Sequence, residues 1–225
     1  MTDTLSKLDS YQEQSHLLDP TLEIMIEPVM TRLREDVDRN NNDLSENTMV
    51  LFRFLYLLTK TRGFKTIGKN IHIFNHNIFT YQQDFSIVKF MSHEVTDLEP
   101  VYEFLNKINS ENSKLWEARY ICFIWLSLIC MIPFDLKKID SDQSHQSLVV
   151  NMLDLCKKYL CSTGKERDGA SLLIARLLSR QDLCDDHMLP FIKWSKQRLS
   201  SDADVFEVIF IGRVVCLFHI LISSL

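Results

Sequence analysis

Glycine and proline are both scarce in this chain of 225 residues, which has five of each. Ten such residues are about 4% of the chain, whereas about 12% is usual in globular proteins. Hairpins and Gly-rich loops depend on these residues because they supply turn conformations that others avoid. The shortage therefore argues against β-sandwiches, barrels and enzymes built around Gly-rich loops.

The chain also lacks an excess of positive charge. Its 25 Lys and Arg are outnumbered by 30 Asp and Glu, which gives a formal net charge of −5. A mildly acidic chain has no overall electrostatic attraction for nucleic acid. Hydrophobic residues make up 46% of the sequence, enough for a sizeable buried core.

The six cysteines show no close pairing pattern. The first residues are polar, unlike a secretory signal. We therefore expect free thiols in a reducing intracellular compartment.

Apolar residues recur at spacings of three and four, which is typical of amphipathic helices. Capping, proline and glycine signals predict helix starts near residues 20, 45, 97, 114, 146, 166 and 186. Asp19 is the predicted N-cap of the first helix, and Ser45 of the second. The predicted apolar faces of the first and last helices are Leu22, Met25, Ile26, Val29 and Leu33, and Met188, Leu189, Ile192, Trp194 and Leu199. The sequence predicts an all-α fold, and two-helix units of about 40 residues favour a HEAT/armadillo-type α-solenoid of antiparallel helix pairs.

The most apolar stretch runs from Tyr120 to Phe134, where Ser127 is the one polar residue. A membrane span needs about 20 apolar residues, more than this stretch provides. A helix that is apolar on all sides is typical of a protein interior. We therefore predict a buried helix with Trp125 at its centre.

Several short motifs could carry chemistry, but each has a simpler structural interpretation. Gly164-Lys165 resembles only the end of a phosphate loop, and a helix stop followed by a charged first turn explains it. Cys184 and His187 have the spacing of metal ligands without a second pair. The remaining candidates are His93, Glu94 and Asp97 near a helix start, and His72 and His76 in a segment without a clear period. The sequence predicts no catalytic, cofactor-binding or metal-binding residue, and no cofactor, so we expect a non-enzymatic protein that acts by binding.

Five blocks of sequence resemble one known family. They are YQEQSHLLDP at 11–20, FLYLLTKTRGFKT at 54–66, HEVTDLEPV at 93–101, WEARYICFIWLSLICMIPFDLKKID at 116–140 and KERDGASLLIARLLSRQD at 165–182. Together they resemble the N-terminal part of tubulin-folding cofactor D, also called tubulin-specific chaperone D.

The resemblance implies a large cytosolic HEAT/armadillo-type solenoid that binds β-tubulin released from the chaperonin. It implies a role in α/β-tubulin heterodimer assembly and, with cofactors C and E, in stimulating GTP hydrolysis by tubulin. It also implies binding to an Arf-like small GTPase and association with the microtubule cytoskeleton. No catalytic motif is carried over, and the surface that contacts tubulin is left unknown.

The chain departs from the family in three places: it is several times shorter than a full member, and two of its segments do not follow the family pattern. We predict a helical-repeat region over residues 1–204, with an atypical insert at 67–86, followed by a divergent apolar tail at 205–225. Both odd segments are rich in Ile and Phe, as translated intron would be, which suggests a truncated or mis-spliced product. Two alternatives remain open from sequence alone. One is a generic HEAT/armadillo protein-binding scaffold, and the other is a helical protein anchored in a membrane by its tail.

Overall fold

The computed structural model describes residues 7–8, 10–39, 45–62, 90–108, 112–136, 147–162 and 164–200. Within these ranges the chain forms long α-helices joined by 3-10 turns and loops, with no β-strand. The helices are α1 Leu22–Asp38, α2 Glu46–Arg62, α3 Leu98–Lys107, α4 Trp116–Ile129, α5 Leu148–Leu160, α6 Glu166–Ser179 and α7 Gln181–Ser200. The predicted all-α fold is confirmed.

The chain divides into two compact units, Met1–His93 and Glu94–Leu225. The first contains α1 and α2, and the second contains α3 to α7. The predicted insert 67–86 and tail 205–225 lie outside the described residues, so the predicted extent of the helical-repeat region stays a prediction.

In the first unit, α1 packs against α2, and a polar cluster joins the end of α1 to the start of α2. The backbone N–H of Thr48 donates to Ser45 Oγ at 3.1 Å, which confirms Ser45 as the N-cap of α2. The Thr48 hydroxyl in turn donates to Asp36 Oδ2 on α1 at 2.7 Å. This hydrogen bond ties the start of α2 to the last turn of α1.

The predicted N-cap of α1 at Asp19 is wrong. Asp19 and Pro20 lie inside a 3-10 turn, Ser15–Thr21, and α1 begins only at Leu22. The Thr21 hydroxyl donates to the Leu18 carbonyl at 3.0 Å, which satisfies a backbone acceptor of this turn. The chain therefore enters α1 through a tighter turn, without a side-chain cap.

In the second unit, α4 is the innermost helix. Every residue from Ala118 to Ile129 is buried, and Trp125 is 0% exposed. The predicted buried helix with Trp125 at its centre is confirmed. The helix ends at Ile129, before Pro133.

Helix α4 runs parallel to α6, and α5, which precedes α6 along the chain and packs on it, runs in the opposite direction. Arg119 and Ser127 of α4 contact Glu166 and Arg176 of α6, in the same order along both helices. Tyr159, near the end of α5, packs edge-on against Phe123 with ring centroids 5.1 Å apart. Helices α4, α5 and α6 therefore alternate in direction, as predicted for antiparallel helix pairs.

Gly169 marks the point where α4 and α6 approach most tightly. A Cβ added at Gly169 would lie 2.8 Å from Phe123 Cβ and 3.2 Å from the Tyr120 carbonyl oxygen. A Cβ and a backbone carbonyl cannot move aside as the end of a flexible side chain can. The absence of a side chain at Gly169 therefore sets the distance between the two helices.

The last predicted helix is wrong in its start and in its buried side. Helix α7 begins at Gln181, five residues before the predicted start. Leu189 and Ile192, assigned to the apolar face from their spacing, are 63% and 47% exposed.

We expect Gly169→Ala to destabilise the chain, although the same change in an unconstrained helix would stabilise it by about 1 kcal/mol. Overpacking a tight contact costs about 1–3 kcal/mol and should outweigh that gain. Urea unfolding followed by circular dichroism measures the net effect. A gain of about 1 kcal/mol in stability would show that α4 and α6 are not in close contact at Gly169.

Candidate partner-binding surface

The residues singled out at the start of α6 have a structural role. Lys165 occupies the N-cap position of α6, and its ammonium group lies 5.8 Å from the centre of the Trp116 ring. A Cβ added at Gly164 would fall 2.0 Å from Glu166 Oε2. Gly164 therefore leaves room for the Glu166 carboxylate, which turns inward towards α4.

Of the other candidate residues, the structure describes Cys184 and His187 on α7, and His93, Glu94 and Asp97 just before α3. Cys184 and His187 are both part-buried on α7, and Asp97 is buried at the N-cap position of α3. His72 and His76 lie outside the described residues. Across the described ranges, no group of three or more His, Cys, Asp or Glu side chains could hold a metal ion. None of the helices described there is long and apolar enough to cross a membrane.

The most buried thiols are protonated at neutral pH. Burial raises the pKa of Cys130 to about 12, and it also raises the pKa values of Cys122 and Cys156. Only the thiolate is an effective nucleophile or metal ligand, so these three cysteines are core residues.

A buried ion pair joins the N-terminal ends of α4 and α6. Arg119 Nη2 lies 3.2 Å from Glu166 Oε1, and both side chains are almost fully buried. Arg119 Nη1 also donates to the Asn112 carbonyl at 3.0 Å, so the same guanidinium holds the loop before α4. Breaking a buried pair leaves an uncompensated charge, so this contact strongly favours one alignment of the two helices.

A second arginine crosses from α6 to the last turn of α4. Arg176 Nη1 donates to the Ser127 carbonyl at 2.9 Å and to Ser127 Oγ at 3.1 Å. Burial lowers the pKa of Arg176 to about 10, which leaves it charged at neutral pH. Ser127, the one polar residue in the apolar stretch, was the sequence signal for a polar partner here.

A third arginine, together with Asp182, forms what we call the carbonyl clamp. Arg180 Nη1 donates to the Cys130 and Ile132 carbonyls at 2.7 and 3.0 Å, and Nη2 donates to the Phe134 carbonyl. Arg180 also donates to both carboxylate oxygens of Asp182, from Nε at 2.9 Å and from Nη2 at 3.0 Å. The clamp satisfies carbonyls at and beyond the end of α4, where the last carbonyls of a helix have no intrahelical N–H donors.

Asp182 connects the clamp to the chain beyond α4. Its Oδ2 accepts a hydrogen bond from the Leu136 backbone N–H at 3.3 Å. Burial alone would raise the pKa of Asp182, but the hydrogen bonds and charge of Arg180 and the Leu136 N–H outweigh it. The pKa of Asp182 is therefore below its ordinary value, and the carboxylate form is favoured in the folded chain.

The clamp also fixes the rotation of α7 about its axis, since Asp182 lies in the first turn of that helix. Leu183, Phe191 and Ser195 are buried, and Phe191 stacks on Trp194 with ring centroids 5.6 Å apart. Spacing alone did not identify this inward side.

The opposite side of α7 carries a row of exposed residues. Leu189 and Ile192 are flanked by Asp185 one turn before and by Lys196 one turn after, and all four are exposed. We call these four residues the α7 stripe. Large exposed apolar side chains that are neighbours on one helix face are typical of partner-binding surfaces.

The first unit has its own exposed apolar residue on α1. Ile24 is 75% exposed and lies between two exposed acids, Glu23 and Glu27. Of the exposed neighbours of Ile24 on this surface, Pro28 is apolar, and both Glu23 and Glu27 are negatively charged.

The described residues form packed antiparallel helices, which places the protein in the all-α class. The family described as "Tubulin-specific chaperone D-like, ARM repeat" matches residues 8–83 and 71–199. The chain belongs to this family, and its fold is the predicted armadillo-type α-solenoid.

Two relatives support the same assignment. The chain is 27% identical over 263 residues to "Tubulin-specific chaperone D" of Dictyostelium discoideum, covering 83% of this chain and 18% of the relative. It is also 27% identical over 85 residues to "Tubulin-folding cofactor D" of Schizosaccharomyces pombe, covering 38% of this chain and 7% of the relative. The chain therefore spans less than a fifth of the length of either relative. No solved structure matches the chain.

We expect Asp182→Asn to destabilise the chain at neutral pH by about 1–3 kcal/mol, because it removes charge-assisted hydrogen bonds to Arg180. A carboxylate with a lowered folded-state pKa contributes stability above its unfolded pKa and loses it as pH falls through the folded pKa. The difference between wild type and variant should therefore shrink below about pH 4. Urea unfolding across pH measures this.

Asp185→Asn, on the exposed side of α7, is the matched control, and its effect should stay within about 0.5 kcal/mol. Equal effects of the two variants at neutral pH would contradict the role given to the carbonyl clamp.

Proposed function

We propose that this protein is a non-enzymatic tubulin-folding chaperone that binds β-tubulin during heterodimer assembly. The family match over residues 8–83 and 71–199 carries the proposal. The names of both relatives, one a tubulin-specific chaperone and the other a tubulin-folding cofactor, support the same proposal.

The described geometry suits a binding role. The charged groups inside the second unit bond neighbouring helices to one another and so have a structural role. They are Arg119, Glu166, Arg176 and the carbonyl clamp. Helical-repeat proteins bind partners through extended surfaces built from successive repeats. We therefore place tubulin binding on the outer helix faces and give the buried polar groups a supporting role.

The same proposal includes the partners of the family. Cofactors C and E would act with this protein on tubulin, and an Arf-like small GTPase would bind it. GTP hydrolysis would take place on tubulin, with this protein holding tubulin in a competent geometry. The working location would be the cytoplasm, in association with the microtubule cytoskeleton.

We expect the immobilised chain to retain β-tubulin in a pull-down and not to retain an unrelated acid-unfolded protein. Trp125→Asp is the control variant, because a charge at a fully buried position should unfold the second unit. Tubulin retention should fall with this variant. If the chain retains β-tubulin and the unrelated protein equally, or if the variant retains as much β-tubulin as the wild type, the capture is non-specific and hydrophobic, which contradicts the proposal. If the chain retains neither protein, the result favours a scaffold for some other protein.

We expect the chain to hydrolyse no GTP alone and to stimulate tubulin only weakly with cofactors C and E. The chain spans 18% of the Dictyostelium relative, and a solenoid holds its partner across many repeats. Phosphate release from tubulin, compared with a full-length relative, measures this. Stimulation equal to that of the relative would show that the activity resides within these 225 residues.

A further inference from the structure

The α7 stripe is confined to one narrow face of its helix. Successive residues of an α-helix are rotated by about 100°, so Asp185, Leu189, Ile192 and Lys196 fall within an arc of about 60°. Leu189 and Ile192 expose 63% and 47% of their surfaces at its centre. An acid stands at one end and a base at the other.

The spacing of the α7 stripe is symmetric. Positions 189 and 192, and positions 185 and 196, share one midpoint between Pro190 and Phe191. A two-fold axis through that midpoint, perpendicular to α7, would place Leu189 against Ile192 of the partner subunit. The same axis would place Asp185 against Lys196 of the partner subunit.

We propose that the α7 stripe is a self-association surface, on which a second copy of this chain packs its own α7 in antiparallel orientation. A two-fold interface requires a surface that is complementary to itself, and the α7 stripe meets that requirement in the order of its apolar and charged residues. The proposal goes beyond tubulin binding and does not depend on it.

The exposed surface around Ile24 on α1 lacks the pairing of opposite charges that makes the α7 stripe complementary to itself. Ile24 is more exposed than Leu189 or Ile192, but its exposed neighbours Glu23 and Glu27 have the same charge. A two-fold pairing of that surface would bring acids close to acids, which is unfavourable.

The size of the α7 stripe sets the expected strength of the dimer. Stable interfaces bury about 1,200–2,000 Å² in total, and a single pair of helices with two central apolar residues each falls below that range. We therefore expect a weak, concentration-dependent dimer in the high-micromolar range.

Sedimentation equilibrium over an about hundredfold range of concentration tests this directly. The wild-type chain should shift from one copy to two as concentration rises. Leu189→Asp should abolish the shift, and Ile24→Asp should leave it unchanged as the matched control. Circular dichroism shows whether each variant is folded. A wild-type chain that stays monomeric throughout, or equal effects of the two variants, would overturn the proposal.

Charge reversal tests the antiparallel orientation. Asp185→Lys alone and Lys196→Asp alone should each weaken the dimer about tenfold, because two like-charged pairs would form across the axis. The double variant Asp185→Lys/Lys196→Asp restores opposite charges and should recover wild-type association. A double variant no better than either single variant would show that the two residues do not meet, and the proposed pairing would be wrong.

A different occupant of the α7 stripe would give a different pattern. If another part of the same chain covers it, Leu189→Asp should lower the unfolding free energy while the wild type remains monomeric at every concentration. If the chain self-associates but does not retain tubulin, only the proposed function is disproved. If the chain retains tubulin but stays monomeric, only the proposed dimer is disproved.

Discussion

Close packing of α4 on α6 determines the arrangement of the second unit. Three contacts lie in the same order along both helices: Arg119 with Glu166, Phe123 with Gly169, and Ser127 with Arg176. The first and last bury charge, which is tolerated only where the partner is in place. A shift of one helix along the other would therefore break the buried Arg119–Glu166 ion pair and separate Arg176 from its Ser127 acceptors, and it would bring a side chain against the Gly169 backbone.

The same contact reaches the surface through the carbonyl clamp. Arg180 follows α6 directly and binds carbonyls at and beyond the end of α4, so its position depends on how α4 and α6 pack. Asp182 lies in the first turn of α7 and accepts hydrogen bonds from Arg180, so the position of Arg180 also fixes the start of α7. The buried polar groups thus determine which residues of α7 are presented to a partner, although none of them lies on its outer surface.

The sequence predicts the interior of this protein better than its surface. Helix α4 could be predicted because its residues are apolar on all sides, so its rotation does not matter. Helix α7 carries apolar residues on opposite sides. Leu183 and Phe191 lie on one side and Leu189 and Ile192 on the other, so either side could be the buried one. Spacing cannot decide between two such sides, and the deciding contact joins Arg180 to carbonyls about 50 residues away. The family was recognisable from long colinear blocks, many of whose residues form the buried helices.

Native-state hydrogen exchange tests the central role of the α4–α6 contact most directly. If that contact holds the second unit together, the amides of residues 121–128 should exchange only through global unfolding, more slowly than those of α5 or α7. Amides on the α4-facing side of α6 should show the same free energy of opening. Exchange of the α4 amides while α5 or α7 remains protected would contradict this account.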